Sequence, residues 1–360
     1  MTESSRRRSM WLFVAGAGGL LAAAVVLLLW PKVEALPGPD RAAELVVKHN
    51  AAVAALEAGD PQSAEPLLTA LAEETLPEEL GVRAAALRNR AVGAVLAIDP
   101  ESGHSVPKTE RDRWFPVAEE AVAALQAAAP DDPAAYWLQS RIAASRSLPD
   151  EERAALRRAA RASRGEIWPI AALAVALGNG SEDADRREAA KRWGEAAEFA
   201  PENVWVQLQA AKAETETEEP TATRRFAALR TRLEPYGNGF ALRQNGDILP
   251  LIEAGQTAAK ANDWPAARRA ATLLFNVLRS EEIVRSDRTA VQRTALDFLS
   301  LDFPPEFYAS TGLSRTPDPT AIEVRYRPFT GLRAPPDRTG IRYVAMANFD
   351  LLGREELICL

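Results

Sequence analysis

Residues 130–212 read PDDPAAYWLQSRIAASRSLPDEERAALRRAARASRGEIWPIAALAVALGNGSEDADRREAAKRWGEAAEFAPENVWVQLQAAK, and their periodicity decides the fold class. Trp137, Trp168 and Trp205 recur at spacings of 31 and 37 residues. Each sits in a window of helical apolar spacing: Leu138 and Ile142; Ile167, Ile170, Ala171 and Ala174; Val204, Leu208 and Ala211. Turn residues separate the windows, so the stretch predicts helix, turn, helix throughout. A helix pair that buries one stripe is not stable alone, and repeated pairs stack to cover each other. The expected fold is mostly α, with a solenoid of helix hairpins over residues 41–300. The tryptophans are expected in its core, with ligand stacking as the alternative role.

Working outward, Leu45 to Ala58 predicts a helix ended by Gly59-Asp60-Pro61, and a second helix follows through Ala64, Leu67, Leu68 and Leu71. The same turn logic returns at Ala259–Ala267. These two stretches resemble the turn of the tetratricopeptide repeat. In that family a small or turn-forming residue ends the first helix, and a small residue five positions on lets the second pack closely. Gly59 with Ala64, and Asn262 with Ala267, match those positions. Trp264 matches the aromatic site, and Pro130 and Pro201 the proline after the second helix. The first-helix pattern of Trp, Leu and Gly is mostly absent. Other local signals agree: Ser147 with Asp150 reads as a capping box with Pro149 in the first turn. Gly178-Asn179-Gly180 ends one helix, and Ser181 with Glu182 and Asp183 opens the next.

Toward the N-terminus, Arg6, Arg7 and Arg8 precede the uncharged run Met10–Trp30. At about 1.5 Å per residue this run spans a hydrocarbon layer of roughly 30 Å. Trp11 and Trp30 fall at its ends, where aromatic rings favour the interface, and the arginines favour the cytoplasmic side. The reading is a single-pass anchor in the cytoplasmic membrane: residues 1–9 a basic tail, 10–30 the span, 31–40 a proline-rich linker, and the body outside the cytoplasm. A signal peptide cleaved near Val33 and Ala35 is the alternative.

Toward the C-terminus the helical period breaks at Pro304-Pro305, and residues 301–321 read as a linker. From Ile322 the period becomes two, with Ile322, Val324 and Tyr326 alternating with charged residues, so a β segment is expected over 322–360. The run Tyr343–Ile358 resembles one FG-GAP/VCBS-type repeat, in which a calcium-holding loop joins two strands. Asn348, Asp350 and Glu356 stand at ligand positions and Gly353 at the glycine, whereas Leu352 replaces the central acid. The resemblance implies weak Ca²⁺ binding and an incomplete blade of a β-propeller, hence the N-terminal part of a longer protein. A membrane-anchored tetratricopeptide-like region followed by such repeats resembles bacterial surface proteins of the ASPIC/UnbV type. An ordinary hairpin is the alternative reading of the same residues.

Composition narrows the function classes. A net charge of −7 lacks the basic surface of a general nucleic-acid binder. One cysteine, Cys359, and two histidines, His49 and His104, build no Cys/His metal cluster, and neither histidine lies in a nucleophile motif. No phosphate loop or dinucleotide fingerprint occurs. An enzyme is therefore not expected. His49 reads as a surface histidine, His104 as a loop residue, and Glu214–Glu219 as a solvated loop rather than a cation site. The expected function is a membrane-tethered extracytoplasmic scaffold for a protein or peptide partner. The alternatives are a spacer for an active module beyond Leu360, or a complete envelope-assembly factor.

Overall fold

The computed structural model describes residues 39–75, 79–103, 105–163, 165–235 and 248–311, with two short strands at 344–347 and 356–359. Among the described residues the first twelve α-helices are α1 (Pro39–Glu57), α2 (Pro61–Glu74), α3 (Leu80–Ile98), α4 (Lys108–Ala128), α5 (Pro133–Ser145), α6 (Pro149–Ala162), α7 (Ile167–Gly178), α8 (Asp183–Phe199), α9 (Val204–Glu216), α10 (Ala222–Leu233), α11 (Leu249–Lys260) and α12 (Trp264–Leu278). Each packs on the next, and α3 also meets α5, as in a repeat-built solenoid. This helical solenoid is compatible with a tetratricopeptide-like architecture.

Local chemistry sets the helix starts. Asp60, Asp132, Asn203 and Asp263 each cap a helix, accepting a hydrogen bond from the first-turn N–H of Ser63, Ala134, Val206 and Ala266 respectively. The two tetratricopeptide-like turns are built alike. Gly59 (φ 75°) and Asn262 (φ 57°) both adopt the left-handed conformation that ends a helix. Ala64 and Ala267 are fully buried, so the second helix of each pair can approach the first. One local reading is corrected: Ser147 does not cap α6. It follows α5 with φ 59°, while the Leu148 N–H donates to the Ala143 carbonyl at 2.9 Å. The serine therefore terminates one helix, and Asp150 bonds Arg153 instead.

After α12 the pairing stops. Helix α13 (Glu282–Val291) lies on α9 and α7, and a 3₁₀ turn (Ala295–Phe298) lies on α3. The short helix α14 (Pro305–Thr311) joins the cluster of Ala42, Leu45 and Leu56 at the start of the solenoid through Phe307. Residues 282–311 are thus a strap that runs back across the helices in reverse order. The expectation of helix pairs to residue 300 and a linker over 301–321 is corrected on the described side, to residue 311. Val284, Val291, Ala295, Phe298, Phe303 and Phe307 are buried with polar residues between them, so the strap has an apolar edge that must be covered.

The strands β1 (Val344–Ala347) and β2 (Glu356–Cys359) pair antiparallel, with Val344 opposite Cys359 and Ala347 opposite Glu356. The rest of the expected β segment lies outside the described residues. Among the described residues no helix is long and apolar enough to cross a membrane, and Met10–Trp30 lies outside them.

Candidate functional site

The strap lies against one face, presented by the alternate helices α1, α3, α5, α7 and α9. Five inward side chains hold it. On α3, Asn89 is fully buried, and it forms a reciprocal pair with the strap backbone: the Ser300 N–H donates to Asn89 Oδ1 at 2.7 Å, and Asn89 Nδ2 donates to the Ser300 carbonyl at 2.9 Å. This satisfies both backbone groups of an extended residue, as a neighbouring strand would. Nδ2 also faces His49 Nε2 on α1 at 3.2 Å. The Ser300 bonds fix which end of the amide is Nδ2, so Nε2 is the acceptor and His49 is neutral. Its ring stacks on Phe303 at 4.5 Å between centroids.

Trp137 on α5 and Trp168 on α7 hold Phe298 between them, each at 5.0 Å. At the N-terminus of α9, Asn203 Nδ2 donates to the Asp287 carbonyl at 3.0 Å, and the Val204 N–H donates to Asp287 Oδ2 at 2.6 Å. An acid placed there also meets the positive end of the helix. The site as a whole holds main-chain groups of the strap by side-chain amides, at Ser300 and at Asp287 in α13, and seats Phe298 between alternate helices.

The strap does not fill this face completely. A cavity of about 610 Å³ remains between α5, α6, α7 and residues 291–293, with Trp137, Trp168 and Trp205 among its walls. Arg141 lines it but is engaged: Nε and Nη2 donate to Asp99 at 2.8 and 2.9 Å, and Nη2 also donates to Glu101 at 2.6 Å. Glu152 on α6 lines it too, and burial pushes its carboxyl above the usual range.

A buried ion pair lies elsewhere in the core. Arg225 Nε donates to Glu214 Oε1 at 3.0 Å, and Nη2 donates to the Gly194 carbonyl at 3.2 Å. Burial raises the Glu214 carboxyl although Arg225 opposes it. Glu214 was expected in a solvated loop. Instead α9 continues through it, so Glu214 and Thr215 are buried while Glu216, Glu218 and Glu219 are exposed.

The other expected positions divide as follows. Trp137, Trp168 and Trp205 are all buried, at 6, 7 and 4% exposure. His49 was expected at the surface and is 1% exposed, because the strap covers it. His104, Asn348 and Asp350 lie outside the described residues. Glu356 opens β2 opposite Ala347. Among the described residues no three His, Cys, Asp or Glu side chains are grouped to hold a metal ion. Sequence reasoning missed Asn89 and Phe298. The available signal for Asn89 was weak: it is the one amide in Val82–Ile98, but it stands between Arg88 and Arg90, so only its helical spacing from Ala85, Ala86 and Val92 places it on the apolar face, where an unpaired polar group is costly. No protein-family model matches the chain, and no curated protein matches it in sequence.

Proposed function

We propose that this chain is a membrane-tethered interaction scaffold on the outer side of the cytoplasmic membrane, which holds an extended segment of a partner protein along the face where its own strap lies. The observation that carries this reading is the Asn89–Ser300 pair: a buried amide that meets both main-chain groups of one residue binds a backbone whatever its sequence. The Phe298 seat between Trp137 and Trp168 adds side-chain selectivity. The partner segment would then be extended between an aromatic residue that replaces Phe298 and a second, five positions on, that replaces Phe303. The tether rests on Met10–Trp30 and its arginine flank. The β segment contributes a blade-like hairpin with weak calcium affinity at Asn348, Asp350 and Glu356.

The experiment uses the full chain with the strap loosened by Phe298→Ala and Phe303→Ala, and a fluorescent peptide of residues 292–311. The loosened chain binds the peptide saturably, and the unchanged chain binds it at least tenfold more weakly because its own strap competes. Failure of the loosened, folded chain to bind would overturn the reading. It would favour the second one, in which the strap is a permanent part of the core and the body is a spacer. That reading is supported by the return of the strap to α1, where Phe303 and Phe307 are buried in one cluster with Ala42, Leu45 and Leu56. For topology, protease added to spheroplasts digests the body, and full protection would contradict the tether.

A further inference from the structure

The cavity beside the strap is a different feature from the strap's own seat, and one carboxylate on its lining has no cation paired with it. Glu152, in the first turns of α6, lines this cavity together with Trp137, Trp168 and Trp205, small residues of α7, and polar groups such as Ser140 and Asn179. Its carboxylate makes no hydrogen bond or ion pair among the described residues. The two guanidinium groups that act on it are already committed, Arg141 to Asp99 and Glu101, and Arg153 to Asp150 and Asp185. Glu101, also on the lining, adds negative charge. The remaining cation on the lining, Arg293, is exposed on the strap, where water screens it. A half-buried carboxylate without a partner, in a cavity also lined by indole rings, is an environment that a cation improves twice, through the carboxylate and through the rings. Trp137 already shows this, with the Arg141 guanidinium 5.8 Å from its ring centre. At about 610 Å³ the space suits a small molecule rather than a side chain alone.

We propose that this cavity binds an organic cation with an apolar body, an aryl- or alkylammonium group, with its head at Glu152 and its body against Trp168 and Trp205. The cavity is present with the strap docked, whether or not the strap's face also accepts a partner segment. Because Val291, Gln292 and Arg293 form one wall, occupancy and strap docking are coupled, and each strengthens the other. A ligand here fastens the strap.

The test titrates the full-length chain in nonionic detergent with benzyltrimethylammonium, benzyl alcohol and phenylacetate, followed by tryptophan fluorescence and calorimetry. The cation binds saturably and at least tenfold more tightly than either comparator. Glu152→Gln weakens the cation at least fivefold and leaves benzyl alcohol unchanged. Ala172→Leu, which fills the cavity from α7, abolishes binding while circular dichroism stays the same. The bound cation also slows amide exchange over residues 292–303. A blocked lysine tripeptide run alongside separates the sources of the same chemistry: tighter binding than benzyltrimethylammonium assigns the site to a lysine of a protein, weaker binding to a free amine. Phenylacetate binding as tightly as the cation, indifference to Glu152→Gln, or no saturable binding of the cation would each overturn the proposal.

Discussion

At the scale of single residues, the informative positions are those whose surroundings leave no freedom. Ideal Cβ geometry at Gly194 on α8 comes within 2.8 Å of Glu214 Oε1 and 3.5 Å of Arg225 Nη2. Glycine here lets three helices approach around a buried ion pair. Gly194→Ala should therefore destabilise by about 1–3 kcal/mol through overpacking, despite alanine's better helix propensity. Gly178→Ala is the control, since nothing lies within 4 Å of its ideal Cβ. It should be neutral, or stabilising by about 0.4–1 kcal/mol. Urea unfolding of both variants decides this, and equal effects would refute the packing argument. Asn89→Ala should cost about 1–3 kcal/mol, because the Ser300 N–H and carbonyl lose their partner together.

His49 adds a pH term whose sign follows from its lowered pKa, caused first by burial, against Asn50 and Asp302. The unfolded chain takes up the proton near pH 6.5, before the folded one does. This contribution is complete above about that pH and is lost as pH falls below it. Glu214, raised by burial, acts with the opposite sign, losing its contribution as pH rises from the unfolded carboxylate value. His49→Gln isolates the first effect: stability between pH 7.5 and 5.5 should fall in the unchanged chain and flatten in the variant. None of these couplings was legible in the sequence, where Gly194 and Asn89 are single letters in helices and their partners lie on other elements.

At the scale of elements, the helix pairs were legible because their signals are local. Apolar spacing, Asp and Asn caps, prolines in first turns and two left-handed turns all act within a few residues. The strap was not legible for the opposite reason. Its composition continues the helical pattern, and its direction is set by contacts such as Asn89 with Ser300 and His49 with Phe303, which lie far apart along the chain. Phe303 and Phe307 dock on the first helices, beside Ala42, Leu45 and Leu56, which no local signal around them indicates. Phe298→Ala tests the element as a unit. It empties the seat between Trp137 and Trp168 and should cost about 3–5 kcal/mol if the surroundings do not collapse. Limited proteolysis should then cut within residues 292–311 before the solenoid is attacked. Cleavage spread evenly over the chain would show instead that strap and solenoid open together.

At the scale of the whole molecule, the strap brings the end of the helical body back to its beginning. Gly81 at the start of α3 lies under Pro304, and a Cβ added at Gly81 would meet Pro304 Cγ at 2.5 Å and Cβ at 3.8 Å. The second distance is close to the Cβ–Cβ separation of a disulfide, about 3.8 Å. Gly81→Cys with Pro304→Cys, in a Cys359→Ser background, should therefore oxidise readily and close most of the solenoid into a ring. Loop closure on that scale is worth about 4–5 kcal/mol or more in the chain-entropy account, set against any native strain. The oxidised form should migrate faster on a non-reducing gel and melt at a higher temperature than the same protein after reduction. It also separates the two functional readings of the body. If a partner segment enters by displacing the strap, locking the strap with Phe303 in place should abolish binding of the 292–311 peptide to a chain loosened at Phe298 alone, and reduction should restore it. If the strap is permanent, neither redox form binds, and the gain in melting temperature is the sole effect of the bond.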